Sequence, residues 1–229
     1  MFNNIPPVVK NLIILNVIFY AATFIVGNMG IDLVNILGVY YFDSPNFKPY
    51  QLVTYMFMHG SNLHIFFNMF ALFMFGASLE RIWGPKKFFI YYLITGFGAI
   101  VINMAVMAFQ LYSLTGSIAI DVENFQSTNQ EMFNTIGQIY NSPMVGASGS
   151  VFGLLLAFGM LFPNTELMML FFPIPIKAKY FVILYGVLEL YSGISNNPGD
   201  NVAHFAHLGG MLFGFFLIQY WKKQRTDFY

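Results

Sequence analysis

Gly146-Ala147-Ser148-Gly149-Ser150-Val151-Phe152-Gly153-Leu154-Leu155-Leu156-Ala157-Phe158-Gly159-Met160-Leu161 is an uncharged, apolar run that begins at a serine set between glycines. A second such run, Ala203-His204-Phe205-Ala206-His207-Leu208-Gly209-Gly210-Met211-Leu212-Phe213-Gly214, opens on histidines and carries glycines of its own. In lipid, every backbone polar group must find a partner inside the protein, so long apolar runs of this kind read as helices. A hydroxyl or an imidazole placed in such a run marks a functional site by default, because hydrocarbon disfavours polar groups.

The rest of the chain agrees with a membrane setting. It has 229 residues, 57% hydrophobic and 9% charged, with a mean hydropathy of +0.63; soluble domains carry about 25% charged residues. The formal net charge is zero, so the overall balance points to neither nucleic acid nor acidic partners. There is no cysteine, which excludes disulfides and thiolate metal sites. The opening Met1-Phe2-Asn3-Asn4-Ile5-Pro6-Pro7 lacks the charged start and small-residue cleavage site of a signal peptide. The first apolar segment is therefore expected to remain as an anchor.

A helical span needs about 20 mostly apolar residues. Six candidates follow: 11–29, 62–82, 87–112, 147–162, 178–195 and 203–221. Lys10, Arg81, Lys86, Lys87, Lys177, Lys179, Lys222, Lys223 and Arg225 fall on one side of this arrangement, and Lys48 alone on the other. The positive-inside rule makes the first side cytoplasmic. Asp32, Asp43, Asp121, Glu123, Glu131 and Asp200 lie in the opposite loops. The expectation is an all-α membrane protein, one domain over residues 1–229, with six transmembrane helices and both termini cytoplasmic. Of the connections, 30–61 is long and aromatic-rich, which suits the membrane interface. Segment 113–145 is polar and acidic, with a surface helix expected around 129–140. The inner stretch 163–177, with Pro163, Pro173 and Pro175, reads as a partly embedded hairpin.

This topology starts the second, fourth and sixth spans on the outer side. Ser148, His207, His64 and Asn68 thus converge in the outer half of the membrane. A serine hydroxyl needs a base to become a nucleophile, and His207 can serve, since imidazole titrates near neutral pH. A helix starting at Ser148 presents free N–H groups, which can stabilise an oxyanion. His64 and Asn68, four apart, share one helix face and can donate hydrogen bonds to the same anion; helix-to-helix polar contacts are the alternative. Gly146 and Gly149 permit close approach at the serine. The pairs Gly149/Gly153 and Gly210/Gly214 are expected to face each other and bring two backbones together. His204, one turn before His207, competes for the base and is expected nearer the surface. A His204–His207 metal pair lacks further ligands. His59 and Glu80 read as structural. Glu189 reads as a snorkelling or hydrogen-bonded surface carboxylate, with orientation of His207 as an alternative.

Taken together, His59 before His64-Ile65-Phe66-Phe67-Asn68, then Gly76-x-x-x-Glu80-x-x-x-Gly84, Gly146-Ala147-Ser148-Gly149 and Ala203-His204-Phe205-Ala206-His207-Leu208-Gly209-Gly210 resemble the rhomboid family of intramembrane serine proteases. The resemblance runs in order along almost the whole chain. It implies a rhomboid-like bundle and a Ser148–His207 dyad without an acid. It also implies an oxyanion site from His64, Asn68 and the Ser148 N–H, and Phe152 stacked on His207. Gly146, Gly149, Phe152 and Gly210 support that site. Substrates would be transmembrane segments of other membrane proteins, cut within the bilayer. The fifth span and the loop after it would gate substrate and water. No cofactor, metal or nucleic acid is expected. The chain departs from many bacterial members at Phe47-Lys48-Pro49-Tyr50, where they carry a Trp-Arg pair, and in the longer segment 113–145.

A compact core without a targeting presequence suggests a bacterial plasma membrane, with the site on the non-cytoplasmic side. The alternative is a catalytically inactive rhomboid-like binding protein for membrane clients, although such relatives lose the serine or histidine. A transporter would show ionisable groups along a whole pathway and paired broken helices; neither is visible.

Overall fold

The computed structural model describes residues 5–169, 172–195 and 202–224. Helix α1 (Pro7–Gly27) opens on a proline, whose missing N–H costs nothing at a helix start. The next two N–H groups are taken by one buried carboxylate: Val8 N donates to Glu80 Oε1 at 3.0 Å and Val9 N to Oε2 at 2.8 Å. Glu80, 2% exposed, thus caps α1 from another helix, with its charge at the positive end of the helix dipole.

A long connection follows, holding α2 (Leu33–Leu37), α3 (Gln51–Thr54) and a 3-10 turn at Tyr55–Phe57. Buried Gln51 organises it, accepting from Lys48 N and donating to the carbonyls of Ile36 and Asn46. Ser61 then caps α4 (Asn62–Ala71) by accepting from His64 N. A π turn at Leu72–Gly76 carries this helix into α5 (Ala77–Trp83) without a break. Gly84 at φ +77° turns the chain, and Pro85 starts α6 (Pro85–Thr115). At 31 residues, α6 runs to about 46 Å, well beyond a hydrocarbon core of about 30 Å. On its far end sits a small second core of Tyr41, Leu111, Ile136, Ile139 and Tyr140. This core seats α7 (Gln130–Asn141) against the connection between α1 and α4. Asp43 fixes the arrangement by accepting from Tyr140 Oη at 2.6 Å and Ile120 N at 3.1 Å.

Helix α8 (Ser148–Leu161) is 14 residues long. Strands β1 (Glu166–Met169) and β2 (Phe172–Lys177) follow, then α9 (Ala178–Ser195) and α10 (His204–Gln224). The strands pair antiparallel, Glu166 opposite Lys177 and Leu167 opposite Ile176. Residues 166–169 and 172–177 therefore form a β ribbon, and the fold is mostly helical, not purely so. The ribbon's prolines deny it a helix but are tolerated where both strands are edges.

The centre is a close assembly of α6, α8 and α10. A Cβ on Gly210 would overlap the Gly149 carbonyl, and one on Gly149 would strike Ala99. These two glycines meet as the spacing predicts. Their partners one turn on do not: Gly153 and Gly214 both receive α6, through Thr95 and through Tyr91 with Thr95 respectively. The small residues thus accommodate three helices, not two. Tyr91 Oη donates to Gly153 O at 2.9 Å and Ser150 Oγ to Tyr92 O at 2.7 Å, so each close approach also satisfies a polar group.

Among the described residues, three helices are long and apolar enough to cross a membrane: Pro7–Gly27, Asn62–Trp83 and Pro85–Thr115; Ser148–Leu161 is a shorter apolar helix. The chain is an integral, multi-pass membrane protein. The expected gating loop after α9, with Asp200, and Arg225 beyond α10 lie outside the described residues.

Candidate active site

Ser148 is the first residue of α8. At about 21 Å that helix is shorter than a hydrocarbon core is thick, and the chain just before it is non-helical. Inside a membrane, such backbone is tolerated only where protein satisfies it. Here Val39 and Met144 exchange hydrogen bonds at 2.9 and 2.8 Å, and Gly146 N donates to Tyr55 O at 2.9 Å. Gly146 sits at φ +127°, a conformation open mainly to glycine.

His207 lies in the first turn of α10 and is 8% exposed. Its Nε2 is 2.8 Å from Ser148 Oγ. The Gly149–Gly210 contact brings the two helices near enough for that bond. Phe152, one turn past the serine, lies flat on the imidazole, 4.2 Å between centroids and 7° between planes, and leaves it little freedom to rotate.

His64 stands on the other side of Gly146. A Cβ there would lie 2.7 Å from His64 Nε2 and 3.6 Å from Ser148 Oγ. Asn68, one turn along α4, is 5% exposed, and its Nδ2 has no hydrogen-bond partner among the described residues. A buried amide left so costs stability, and that cost has a use if the amide awaits a transient oxyanion. His59 packs edge-on to His64 at 4.9 Å. It lies in the loop before α4, where burial first, and the His64 imidazole second, push its pKa down to about 4. It is a neutral wall behind His64.

Glu189 is the residue whose position the sequence reading gave least weight. Its Oε2 lies 2.8 Å from His207 Nδ1 and 2.7 Å from His204 Nδ1. It is not a snorkelling surface group, since its side chain is 12% exposed. Counting helix rise would have found it: six residues from the end of span 178–195 is about 9 Å, and four into span 203–221 is about 6 Å, so the groups share a level. A carboxylate only accepts hydrogen bonds, so His207 Nδ1 carries the proton and Nε2 presents its lone pair to Ser148. That is the tautomer a general base requires.

The same three residues could hold a metal ion, with ligand atoms within 4.8 Å of one another. Glu189 supplies the third ligand that the histidine pair lacked in the sequence reading. The two imidazoles meet one oxygen at hydrogen-bond distance, however, and a protonated nitrogen is not a ligand. The arrangement is that of nucleophile, base and carboxylate in order, with donors nearby: the parts of an acyl-transfer site.

The Rhomboid domain matches residues 46–224. The chain is similar to Rhomboid protein 1, mitochondrial, of Saccharomyces cerevisiae, 28% identical over 173 residues, covering 74% of this chain and 42% of that one. It is similar to Rhomboid protease AarA of Providencia stuartii, 28% identical over 163 residues, covering 69% and 51%. RHOMBOID-like protein 12, mitochondrial, of Arabidopsis thaliana is 32% identical over 174 residues, covering 72% and 45%. The chain thus spans about half of these relatives' own length or less.

Proposed function

The chain belongs to the rhomboid family, and on that premise we propose that it is an intramembrane serine endopeptidase cutting transmembrane segments of other membrane proteins. The observation that carries this reading is the 2.8 Å contact between Ser148 Oγ and His207 Nε2, made by two helices at depth. Ser148 Oγ attacks the scissile carbonyl carbon while its proton passes to His207 Nε2. The carbonyl oxygen, now negative, takes hydrogen bonds from Ser148 N–H, His64 and Asn68. The C–N bond then breaks, and the amine leaves with the proton from His207. Water attacks the acyl ester, again through His207, and restores the serine.

The topology we propose has six spans with both termini cytoplasmic. Lys87 Nζ over the Trp221 ring, 4.3 Å from its centroid, supports it by joining the inner ends of two helices where the basic residues gather. Water then reaches the site from the outer side, where α4, α8 and α10 begin. The location we propose is a bacterial plasma membrane; similarity to mitochondrial as well as bacterial relatives makes an organelle membrane the competing location.

The test is cleavage of a transmembrane peptide by the purified protein in proteoliposomes. One cut in the apolar segment, lost in both Ser148→Ala and His207→Ala, is the expected result. Binding of the peptide without any cut by the wild type would favour the inactive client-binding protein.

A further inference from the structure

We propose that Glu189 is a positioning residue for His207, so that this site works as a Ser148–His207–Glu189 relay and not as a bare dyad. The inference rests on the hydrolase reading above and deepens it. Three observations carry it. The carboxylate oxygen lies 2.8 Å from His207 Nδ1, on the ring edge opposite the nitrogen that meets Ser148. The carboxylate lies in the part of α9 beyond Lys179 that carries no other charge, where a charge is costly and a neutral side chain would tie α9 to α10 as well. The same oxygen is held from a second side by His204 Nδ1 at 2.7 Å, which fixes the acid rather than leaving it to swing.

The physical effect has two parts. In the resting state, Glu189 selects the tautomer with Nε2 free. In the transition state, when His207 gains the serine proton, the carboxylate stabilises the imidazolium in a site that largely excludes water. Phe152 restrains the ring's faces and Glu189 its edge, so the imidazole has one orientation. His204 acts mainly through Glu189, and its ring meets the His207 ring edge-on, 6.4 Å between centroids. The groups that face His207 from the surrounding helices are Ser148 on α8, His64 on α4, and Glu189 on α9.

The experiment compares wild type, Glu189→Gln and His204→Ala in the same proteoliposomes, measuring kcat and KM on a transmembrane peptide, the labelling rate with a fluorophosphonate, and the melting midpoint. Gln has nearly the same shape and keeps a hydrogen bond but not the charge. The expected result for Glu189→Gln is a wild-type melting midpoint and KM, with kcat and labelling rate both at least about tenfold lower. His204→Ala is expected to lose several-fold less. Wild-type or raised kcat in Glu189→Gln overturns the inference and makes Glu189 a latch between α9 and α10. An equal loss in both variants, with lowered melting midpoints, also overturns it. If Glu189→Gln does not fold, Glu189→Asp decides, since it keeps the charge but withdraws it by one methylene: lowered kcat at unchanged KM supports the role, and wild-type kcat refutes it. A wild type that neither labels nor cleaves removes the hydrolase reading, and this inference with it. A wild type that does both while Glu189→Gln matches it removes the inference alone.

Discussion

Gly146→Ala separates the backbone from the site in one atom. Gly146 holds φ +127°, so an L side chain there strains the loop by about 1–3 kcal/mol. The added Cβ would also lie 2.7 and 2.8 Å from His64 Nε2 and Cε1. An ordinary carbon contact begins near 3.4 Å, so the imidazole must retreat by roughly 0.6 Å. His64 is one of three donors assigned to the oxyanion, and a misplacement of about 1 Å can cost 10²-fold in rate. The expected outcome is a lowered melting midpoint and a kcat reduced by about 10- to 100-fold, with KM little changed. A double-mutant cycle with His64→Ala assigns the causes. In the His64→Ala background the Cβ has room, so Gly146→Ala should still lower the melting midpoint but add little to the loss of kcat. The coupling read from kcat should reach about 1–3 kcal/mol. Additive losses in kcat would refute the reasoning, because they would mean that Gly146 and His64 do not act through each other.

Asn68→Ala is expected to lower kcat by about 10²-fold or more without lowering the melting midpoint, since its Nδ2 makes no hydrogen bond in the resting protein; unchanged turnover removes it from the oxyanion role. Glu80→Ala strands two N–H donors at the start of α1 and is expected to cost about 2–4 kcal/mol of stability, read as a fall in melting midpoint, while KM stays near that of the wild type. His59 makes stability pH-dependent. Its folded pKa, about 4, lies below the ordinary 6.5, so the unfolded chain binds its proton first. The stability it contributes is therefore present above pH 6.5 and lost as pH falls towards 4, about 3 kcal/mol in all. His59→Phe should flatten the melting midpoint over that window, and an unchanged slope would contradict the assignment.

The helices were largely legible because hydrophobic run length is a strong signal. The segments expected at 62–82, 147–162 and 178–195 are helical over Asn62–Trp83, Ser148–Leu161 and Ala178–Ser195. The first, expected at 11–29, begins at Pro7 instead, because its start is set by a carboxylate 71 residues away in sequence. The surface helix expected near 129–140 is Gln130–Asn141. Motif and topology together brought Ser148, His207, His64 and Phe152 into one place. What could not be read were relations between elements. Gly153 and Gly214 look like their neighbours Gly149 and Gly210 in sequence, yet they receive Thr95 and Tyr91 from a third helix. For Glu189, helix rise gives the level it shares with His207, but the lateral packing of α9 on α10, which makes it meet two histidines, is not in the sequence. The hairpin expected within 163–177 appears as the antiparallel pair Glu166–Met169 and Phe172–Lys177, since prolines exclude helix there.

The central claim is that Ser148 is a nucleophile activated by His207. The most direct measurement is fluorophosphonate labelling of the folded, purified protein, with the adduct located by peptide mass spectrometry. The account predicts one adduct, on Ser148, absent in His207→Ala although the serine remains. An adduct on Ser150 or another hydroxyl, or labelling of Ser148 that survives His207→Ala at the wild-type rate, would contradict it.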